Sequence, residues 1–291
     1  MHHLILGYGY SAYYLAQLLL EKGQTVTAVS RHLAEQQHLS LLDHRCFDLQ
    51  EPFIWDQPNT IIYYFIPPSN SGERDSFLNN FLQNSQLKAH KIIYFSSSAV
   101  YGNQQGRWVN EETACEPHTE RELRRLDAEQ QWQDFCQKKS IPYCLLRVAG
   151  IYGPERLPIA AAQSQTPVIL SSQAPYTNSI YVKDLAHIAY TLGTLEKTFN
   201  VYNVADGEPH PMGFIQQLVA QALHIPPAPE KSWDEVFAQS SPMKKEFMAS
   251  SKRLSIQRLQ NTLGQLVALS PLIETIKLEI NQYHQRTTAS D

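Results

Sequence analysis

The sequence predicts an α/β protein in which a doubly wound parallel sheet is joined to a smaller, more irregular lobe. Short, wholly apolar segments alternate with helical segments over residues 1–150. This alternation is typical of parallel strands that are covered by helices on both faces. After Gly150, prolines and polar loops become frequent and only single helical patterns appear. These two observations favour one large α/β core followed by a lobe with less regular secondary structure.

The individual elements follow from the spacing of the apolar residues and from the turn signals between them. A first apolar run leads into a glycine turn, a helical pattern then ends at Gly23, and a second apolar run follows. The same alternation recurs along the rest of the core. The predicted strands are residues 4–6, 25–29, 61–65, 91–95, 142–146 and 198–204, and the predicted helices are residues 11–21, 75–88, 120–138, 182–192, 212–223 and 272–283.

The same pattern predicts how the chain is divided. Residues 1–150 form the core, and residues 178–204 return to it because they end in a further apolar strand. Residues 151–177 and 205–284 form the smaller lobe. Residues 285–291 are polar and terminal, so we expect a frayed tail there.

Composition and charge exclude several classes of function. The 291 residues carry 24 Lys and Arg against 28 Asp and Glu, and 43% are hydrophobic, which is the balance of a folded globular chain. Without a basic run, nucleic-acid binding is not expected. No apolar stretch has the roughly 18 residues of a membrane span, and the N-terminus lacks a signal-peptide layout, so we expect a cytoplasmic protein. The four cysteines are scattered and predict free thiols without a metal site.

A glycine turn indicates where a dinucleotide would bind. Gly7-Tyr8-Gly9 directly follows the first predicted strand and directly precedes a helix. Glycines in this context permit a tight turn and let backbone N–H groups approach a pyrophosphate. Ala12 takes the place of the usual third glycine and still allows the helix to pack closely on the strand. The sequence therefore predicts a Rossmann-type site formed by Gly7, Tyr8, Gly9, Tyr10, Ser11 and Ala12, although an ordinary strand-to-helix turn would have the same pattern.

The end of the second predicted strand bears on the choice of dinucleotide. An NAD site normally has an acidic residue there that binds the ribose 2′-hydroxyl. This chain has Ser30-Arg31 instead, which suits a 2′-phosphate and predicts NADP rather than NAD. The alternative is an Arg that merely faces solvent. Asp48 and Leu49 lie between the predicted strands at residues 25–29 and 61–65, and Asp48 either hydrogen-bonds the adenine or closes a turn.

Four segments identify a family. YFSSSAVYG at residues 94–102, LRVAGIYGP at 146–154, SIYVKDLA at 179–186 and NVYNVADGE at 200–208 stand in this order along the chain. With the glycine turn, they resemble the extended short-chain dehydrogenase/reductase superfamily, also called the NAD-dependent epimerase/dehydratase family, over roughly residues 1–265. The resemblance implies a dinucleotide-binding fold and a small-molecule substrate, which in this family is commonly a nucleotide sugar.

The resemblance also assigns positions in a catalytic set, and one of them is altered. Enzymes of the family use a Ser or Thr, together with a Tyr and a Lys four residues apart on one helix. Ser97 falls at the hydroxyl position, with Ser96 beside it at the cofactor. If Glu129 is the acid that follows the Lys, then Arg125 occupies the Lys position and Arg121 the Tyr position. Arg121 cannot act as a proton donor near neutral pH, because its pKa is too high.

Several residues are candidates for the missing proton donor. Tyr101 is the first choice because it is nearest Ser97 in sequence, although it can equally pack beneath the cofactor loop. For Ser97, the alternative to positioning the substrate oxygen is a hydrogen bond that caps the end of its strand. Arg147 either binds a phosphate or carboxylate of the substrate or pairs internally with an acid such as Asp184. The remaining candidates are Tyr152, which is also a substrate-binding candidate, Tyr181, Glu111, Glu112 and His118.

The sequence leaves two functions open. The first is NADP-linked hydride transfer on a sugar-nucleotide-like substrate with a non-standard proton donor. The second is a catalytically silent NADP-binding sensor or binding module, which the missing Tyr favours. The family often forms homodimers through two helices beside the site, and one of these would be the helix at residues 120–138.

Overall fold

The computed structural model describes residues 1–32 and 38–288, and its central element is a seven-stranded sheet. The strands are β1 (His2–Leu6), β2 (Thr25–Ser30), β3 (Asp43–Cys46), β4 (Ile54–Trp55), β5 (Thr60–Tyr64), β6 (Gln86–Leu87), β7 (Lys91–Ser97), β8 (Trp108–Val109), β9 (Tyr143–Val148), β10 (Gly150–Tyr152), β11 (Val168–Ile169), β12 (Tyr176–Thr177), β13 (Ser179–Tyr181), β14 (Val201–Val204), β15 (His210–Pro211), β16 (Glu230–Lys231) and β17 (Arg253–Leu254). The helices are α1 (Tyr10–Glu21), α2 (Ser76–Asn84), α3 (Glu120–Lys139), α4 (Ile159–Gln163), α5 (Val182–Thr194), α6 (Phe214–Ala222), α7 (Trp233–Gln239), α8 (Pro242–Met248), α9 (Gln257–Leu263) and α10 (Leu272–Thr288).

The strands of the central sheet run in the order β3-β2-β1-β5-β7-β9-β14, and every neighbouring pair is parallel. The chain winds outward from β1 to β3, returns to β5 on the other side of β1, and then winds outward in the opposite direction. Ligands of such sheets bind outside the carboxyl ends of the strands at this change of direction. The predicted doubly wound fold is confirmed, and β1 and β5 flank its switch point.

Both faces of the sheet are buried, as the apolar runs predict. Successive residues of β1 point to opposite faces, so Ile5 packs in the cluster that contains α1 and α5 residues, whereas Leu4 and Leu6 pack in the cluster that contains Phe81 of α2 and Trp132 of α3. Burial on both faces is the reason that these strands contain continuous apolar residues instead of an alternating pattern.

Helix α3 begins where the sequence predicts. Thr119 accepts a hydrogen bond from the Glu122 backbone N–H, and the Glu122 carboxylate accepts one from the backbone N–H of Thr119. This capping box satisfies donors that the first turn of a helix leaves unpaired. It fixes the register of the helix that carries positions 121, 125 and 129.

The residues that the sequence predicts to form a smaller lobe are folded into short elements. Helices α4, α6 and α10 share an apolar cluster, and α7 and α8 pack on a second one around Ile169. Strand β17 pairs in parallel with β8, which joins a segment near the carboxyl end of the chain to the loop that enters α3. Helix α10 continues to Thr288, beyond the predicted helix end at 283 and into the segment 285–291 for which the sequence predicts a frayed tail, and residues 289–291 lie outside the described residues. No helix among the described residues has the length and apolar character that crossing a membrane requires.

Candidate dinucleotide and substrate site

An open groove of about 830 Å³ lies at the carboxyl edge of the sheet, across the ends of β1, β2 and β5. It coincides with the switch point of the sheet, where a dinucleotide is expected. Seven of the predicted cofactor residues line it, namely Gly7, Tyr8, Gly9, Ser30, Arg31, Asp48 and Leu49. The groove also contains residues that the sequence did not assign to the cofactor, among them His32, Phe65, Ile66, Ser69, Phe77 and Asn80.

The glycine turn has the conformation and the space that a pyrophosphate site requires. Gly7 has a φ of +92°, and a Cβ atom there would lie 2.7 Å from Ile66 Cγ1. Glycine is therefore needed for the close approach of the β1 and β5 ends. A Cβ atom on Gly9 would meet nothing within 4 Å, so the space in front of α1 is open.

The first turn of α1 suits an anion. It has no side-chain cap and no acidic residue, whereas α3 has both. Its backbone N–H groups and the positive end of its dipole are thus available to a phosphate. The residues present fit a dinucleotide pyrophosphate.

The three residues that open α1 do not line the groove. Tyr10 faces the smaller lobe, where its hydroxyl donates to the Pro154 carbonyl at 2.8 Å and its ring lies 4.0 Å beneath the Arg156 guanidinium. Ser11 is half-buried, and Ala12 is buried against the sheet. Among these three, only backbone groups are positioned to meet a phosphate at the helix start.

Ser30 and Arg31 stand at the edge of the groove. Arg31 is exposed there, as a residue that binds a 2′-phosphate must be. The Ser30 Oγ donates to the His32 carbonyl at 2.7 Å, and the His44 Nε2 lies 2.7 Å from the same oxygen. The hydroxyl is therefore held in place by groups on either side of it.

Asp48 closes a turn, which is one of the two roles predicted for it. Its Oδ1 accepts from the Gln50 backbone N–H at 3.0 Å, and its carbonyl accepts from Glu51 N–H at 3.0 Å. The side chain remains exposed on the groove wall, and Leu49 beside it is buried. The turn leaves the second carboxylate oxygen, Oδ2, outside this pair of bonds.

Ser97 and Ser96 point in different directions from the end of β7. The Ser97 Oγ accepts from the Ala99 backbone N–H at 3.2 Å and caps the short 3₁₀ turn at Ser98–Tyr101. Ser97 remains partly exposed, whereas Ser96 is buried and donates to Glu129 Oε1 at 2.6 Å. Of the two, only Ser97 has surface that a small molecule can reach.

The side chains of Arg121 and Arg125, at the family's Tyr and Lys positions, contact different parts of the protein. The Arg125 Nη1 donates to the Phe95 carbonyl and to the Tyr94 hydroxyl, both at 3.3 Å, so it lies over the carboxyl end of β7. Arg121 instead turns toward α8, where its Nε lies 3.5 Å from Glu246 and its guanidinium 4.7 Å from the Phe247 ring. Position 121 is a contact between α3 and α8.

Tyr101, the first choice for the proton donor, does not face the groove. Its side chain is fully buried, its hydroxyl donates to Asn203 Oδ1 at 2.7 Å, and the same oxygen accepts from Arg147 Nη1 at 3.0 Å. Burial raises the pKa of Tyr101 to about 12. This tyrosine therefore has a packing and network role beneath the cofactor loop.

Arg147 has an internal partner, and that partner is Glu129 rather than Asp184. The Arg147 Nη2 lies 2.9 Å from Glu129 Oε2, and both side chains are buried. Asp184 accepts instead from the backbone and hydroxyl of Ser270, at 2.7 and 2.8 Å. The guanidinium is thus turned inward, away from the substrate side.

Two further tyrosine candidates for the proton donor are engaged in the smaller lobe. Tyr152 is buried in the apolar cluster of that lobe, and burial raises its pKa. The Tyr181 hydroxyl donates to Glu279 at 2.5 Å. Neither tyrosine lines the groove.

The candidates in the loop that enters α3 also bind other parts of the protein. Glu111 accepts from the Asn203 backbone N–H at 2.8 Å, and Glu112 pairs with Arg258. The backbone N–H of His118 donates to the Glu122 carboxylate. Glu111, Glu112 and His118 all lie outside the groove lining.

The sequence prediction missed the residues beyond the end of β5, although their position marks them. Phe65 and Ile66 follow a strand adjacent to β1 and line the groove next to the glycine turn. The Phe65 ring stacks on Phe95 with centroids 3.7 Å apart. The available signal was the carboxyl end of a predicted parallel strand, where residues reach the ligand edge of a sheet.

The sheet order, the glycine turn and the groove together define a Rossmann-type dinucleotide-binding protein. The family model described as NAD dependent epimerase/dehydratase family matches residues 3–205, and the chain belongs to this family. The resemblance that the sequence motifs indicate is confirmed.

Solved structures agree with this fold. A functionally unknown conserved protein from Silicibacter pomeroyi is 25% identical, with a TM-score of 0.80 over 97% of this chain and 99% of that chain. A Thermus thermophilus UDP-glucose 4-epimerase, solved with NAD, is 18% identical, with a TM-score of 0.71 over 98% and 99% of the two chains. A Bacillus cereus UDP-glucuronic acid 4-epimerase, also solved with NAD, is 17% identical, with a TM-score of 0.74 over 98% and 99%. A comparison with curated proteins found no match.

Proposed function

We propose that the protein binds NADP(H) in the groove, in preference to NAD(H), and uses it for hydride transfer on a small molecule of the sugar-nucleotide type. The observation that carries the cofactor choice is the pair Ser30 and Arg31 on the groove wall, at the end of β2. An NAD site has an acidic residue at this place. A hydroxyl and a guanidinium favour a 2′-phosphate, because both can donate to it.

The groove has a role in this proposal, and so do two residues at the carboxyl end of β7, Arg125 and Ser97, that are not among the groove-lining residues. The backbone N–H groups at the start of α1 bind the pyrophosphate, and Ser30 and Arg31 bind the 2′-phosphate. The wall of the groove that contains Phe65 binds the remainder of the dinucleotide. Arg125, over the end of β7, offers its fork of donors to a ribose hydroxyl. The bound nicotinamide supplies or accepts the hydride. Ser97, the accessible hydroxyl at the end of β7, orients a hydroxyl or carbonyl oxygen of the substrate.

The proton that is transferred together with the hydride needs a donor or acceptor other than a tyrosine at position 121. A guanidinium is not a proton donor near neutral pH, and Arg121 is turned toward Glu246. The Tyr101 hydroxyl is buried between Arg147 and Asn203. We therefore assign the proton to a water molecule in the groove or to a group of the substrate, with Ser97 as the hydrogen-bonding residue. The loss of a positioned acid or base lowers rates by about 10²–10⁴-fold, so slow turnover is expected.

A catalytically silent NADP(H)-binding sensor is the second candidate. It is favoured by the use of position 121 as a contact with α8, since Arg121 touches both Glu246 and Phe247 there. In this case the dinucleotide binds but no carbon compound exchanges hydride with it. UDP-glucose and related nucleotide sugars are the substrates to try, and the sensor function predicts that none of them reacts.

Titration calorimetry of the purified chain with NADPH and, separately, with NADH tests the cofactor proposal. We expect NADPH to bind more tightly, and Arg31→Ala to remove a preference of about ten- to a hundredfold, the equivalent of one charge-assisted hydrogen bond. A preference that survives this substitution would refute the role of Arg31.

Turnover is then followed through the absorbance of the reduced nicotinamide on a panel of nucleotide sugars. Loss of turnover in Ser97→Ala with unchanged NADPH affinity supports the enzyme. Absence of any reaction in the wild type supports the sensor.

A further inference from the structure

His44 is a half-buried neighbour of the residues that choose the cofactor. It lies on β3, opposite Ala28 of β2, and its Nε2 is 2.7 Å from the Ser30 Oγ. Its ring packs edge-on against Tyr8, with centroids 4.6 Å apart and planes at 62°. Ser30 and Tyr8 both line the groove, and His44 stands behind them rather than on the lining itself.

We propose that His44 is a positioning residue for cofactor selectivity: it holds the Ser30 hydroxyl so that this hydroxyl donates to the 2′-phosphate of NADP(H). The inference deepens the proposed function and rests on its cofactor site. The inference gives His44 a role in the preference for NADP(H), although His44 itself neither lines the groove nor contacts the phosphate.

The single hydrogen of Ser30 determines the direction of both contacts. That hydrogen donates to the His32 carbonyl at 2.7 Å. The His44 Nε2, also 2.7 Å from the Ser30 oxygen, must then be the donor in its own contact, because the hydroxyl has no second hydrogen to give. Because His44 donates to the Ser30 oxygen, the hydroxyl hydrogen is kept for an acceptor, which is the His32 carbonyl in this structure and would be a phosphate oxygen that replaces it.

The histidine acts through this hydrogen bond and not as a charge. Burial, followed by the nearby His38, lowers the pKa of His44, so its imidazole stays neutral near pH 7. A neutral ring adds no net charge that would attract a phosphate. Donation from its N–H to the Ser30 oxygen nevertheless makes the Ser30 hydroxyl a stronger donor in turn, since linked hydrogen bonds polarise one another.

This mechanism predicts a thermodynamic cycle that a structural role would not produce. His44→Phe keeps a ring against Tyr8 but removes the donor, and we expect it to weaken NADPH binding about three- to tenfold with NADH binding unchanged. In Ser30→Ala, the substitution at 44 should have no further effect on the ratio of the two affinities. His44→Gln retains an N–H donor and should keep most of the preference.

Calorimetric titrations of the full chain with NADPH and NADH provide the test, for the wild type, His44→Phe, His44→Gln, Ser30→Ala and the double variant. His2→Leu is the matched control, because His2 lies at the amino end of β1 and its Nε2 makes a 2.9 Å contact with the Thr27 hydroxyl, away from the groove. Its affinity ratio should equal that of the wild type. Should His44→Phe fail to fold, His44→Leu serves in the same comparison.

The outcomes are distinct. An unchanged affinity ratio in His44→Phe, equal weakening of both dinucleotides, or additive effects in the double variant would each overturn the inference while leaving the cofactor site standing. If the wild type binds neither dinucleotide, or binds NADH more tightly, the proposed cofactor site itself fails and the inference with it. A selective loss in His44→Phe that Gln restores and that Ser30→Ala cancels supports it.

Discussion

Arg147 and Glu129 form a buried two-point ion pair beneath the carboxyl edge of the sheet. The Arg147 Nη2 lies 2.9 Å and its Nε 3.2 Å from Glu129 Oε2, and the side chains are only 8% and 2% exposed. Ser96 donates to the same carboxylate, and Tyr101 links the guanidinium to Asn203. One polar network therefore joins α3, β7, β9 and β14 behind the candidate site.

This ion pair gives a first prediction about stability. Removing one partner leaves a buried charge without its counter-charge, so Glu129→Leu or Arg147→Met alone should lower the free energy of unfolding by about 3–5 kcal/mol. The double variant should recover much of that loss, because two apolar side chains replace the pair. Urea unfolding measures the free energy of unfolding of the two single variants and of the double variant. A double variant that loses the sum of the single effects would contradict this account. Arg45→Ala, which removes an exposed pair with Asp43 and a contact with the Trp55 ring, should cost only about 1 kcal/mol.

Lys91 supports a second prediction. It is buried at the start of β7, and its ammonium donates to the Leu192 and Leu195 carbonyls at 3.1 and 2.5 Å, at the end of α5. Lys91→Met should leave these carbonyls unsatisfied and lower the free energy of unfolding by about 1–3 kcal/mol. Hydrogen exchange should show the last turn of α5 opening first. Lys88→Met, at an exposed ion pair with Asp56, is the control and should be nearly neutral; equal losses in the two variants would exclude a special role for Lys91.

The lowered pKa of His3 gives a prediction about how the stability of the fold depends on pH. Burial lowers the pKa of His3 to about 4, whereas in the unfolded chain a histidine titrates near 6.5. Between these values the unfolded state binds more protons than the folded state, so stability is lost as the pH falls from about 6.5 toward 4. His3→Gln should remove up to about 3 kcal/mol of this change. The difference between wild type and variant in urea unfolding at several pH values isolates His3 from other buried groups, and parallel curves would show that it contributes nothing.

Arg125 and Arg121 lie four residues apart on α3 and should differ in function. Arg125 lies over the end of β7, and Arg121 contacts α8. Arg125→Ala should weaken the binding of NADPH and NADH to a similar degree, by about three- to tenfold, because the ribose hydroxyl that we propose as its partner is common to both. Arg121→Ala should leave both affinities unchanged. Titration calorimetry of the two variants with each dinucleotide measures these affinities. Weaker dinucleotide binding in Arg121→Ala would mean that position 121 still reaches the dinucleotide.

The core and the pyrophosphate turn could be predicted from the sequence because their signals are local. The apolar run before Gly7 and the open position of Gly9 depend on neighbours in sequence and on the regular geometry of parallel strands. Tyr101 could not be placed in the same way. Its partner Asn203 is 102 residues away, so its orientation is set by tertiary contact alone. The internal partner of Arg147 could not be chosen from the sequence for the same reason.

The smaller lobe was harder to predict, for a different reason. Helices α4, α7, α8 and α9 have only five to seven residues each, too few to show a helical period in their apolar positions. The division of the chain into core and lobe and the formation of a homodimer through α3 remain predictions.

The pairing of β17 with β8 bears on the order in which the molecule is completed during synthesis. Arg253 donates to the Gly106 carbonyl across 147 residues of chain, and the neighbouring Ser250 hydroxyl donates to the Gly102 carbonyl. The strands that flank the glycine turn, β1, β2 and β5, end by residue 64, whereas helix α1 behind the turn packs in the same apolar cluster as α5. The loop into α3 must wait for one of the last segments to emerge, since such distant contacts carry a closure cost that is met late. A nascent chain should thus complete the loop that follows Ser97 only after residues 250–253 have emerged.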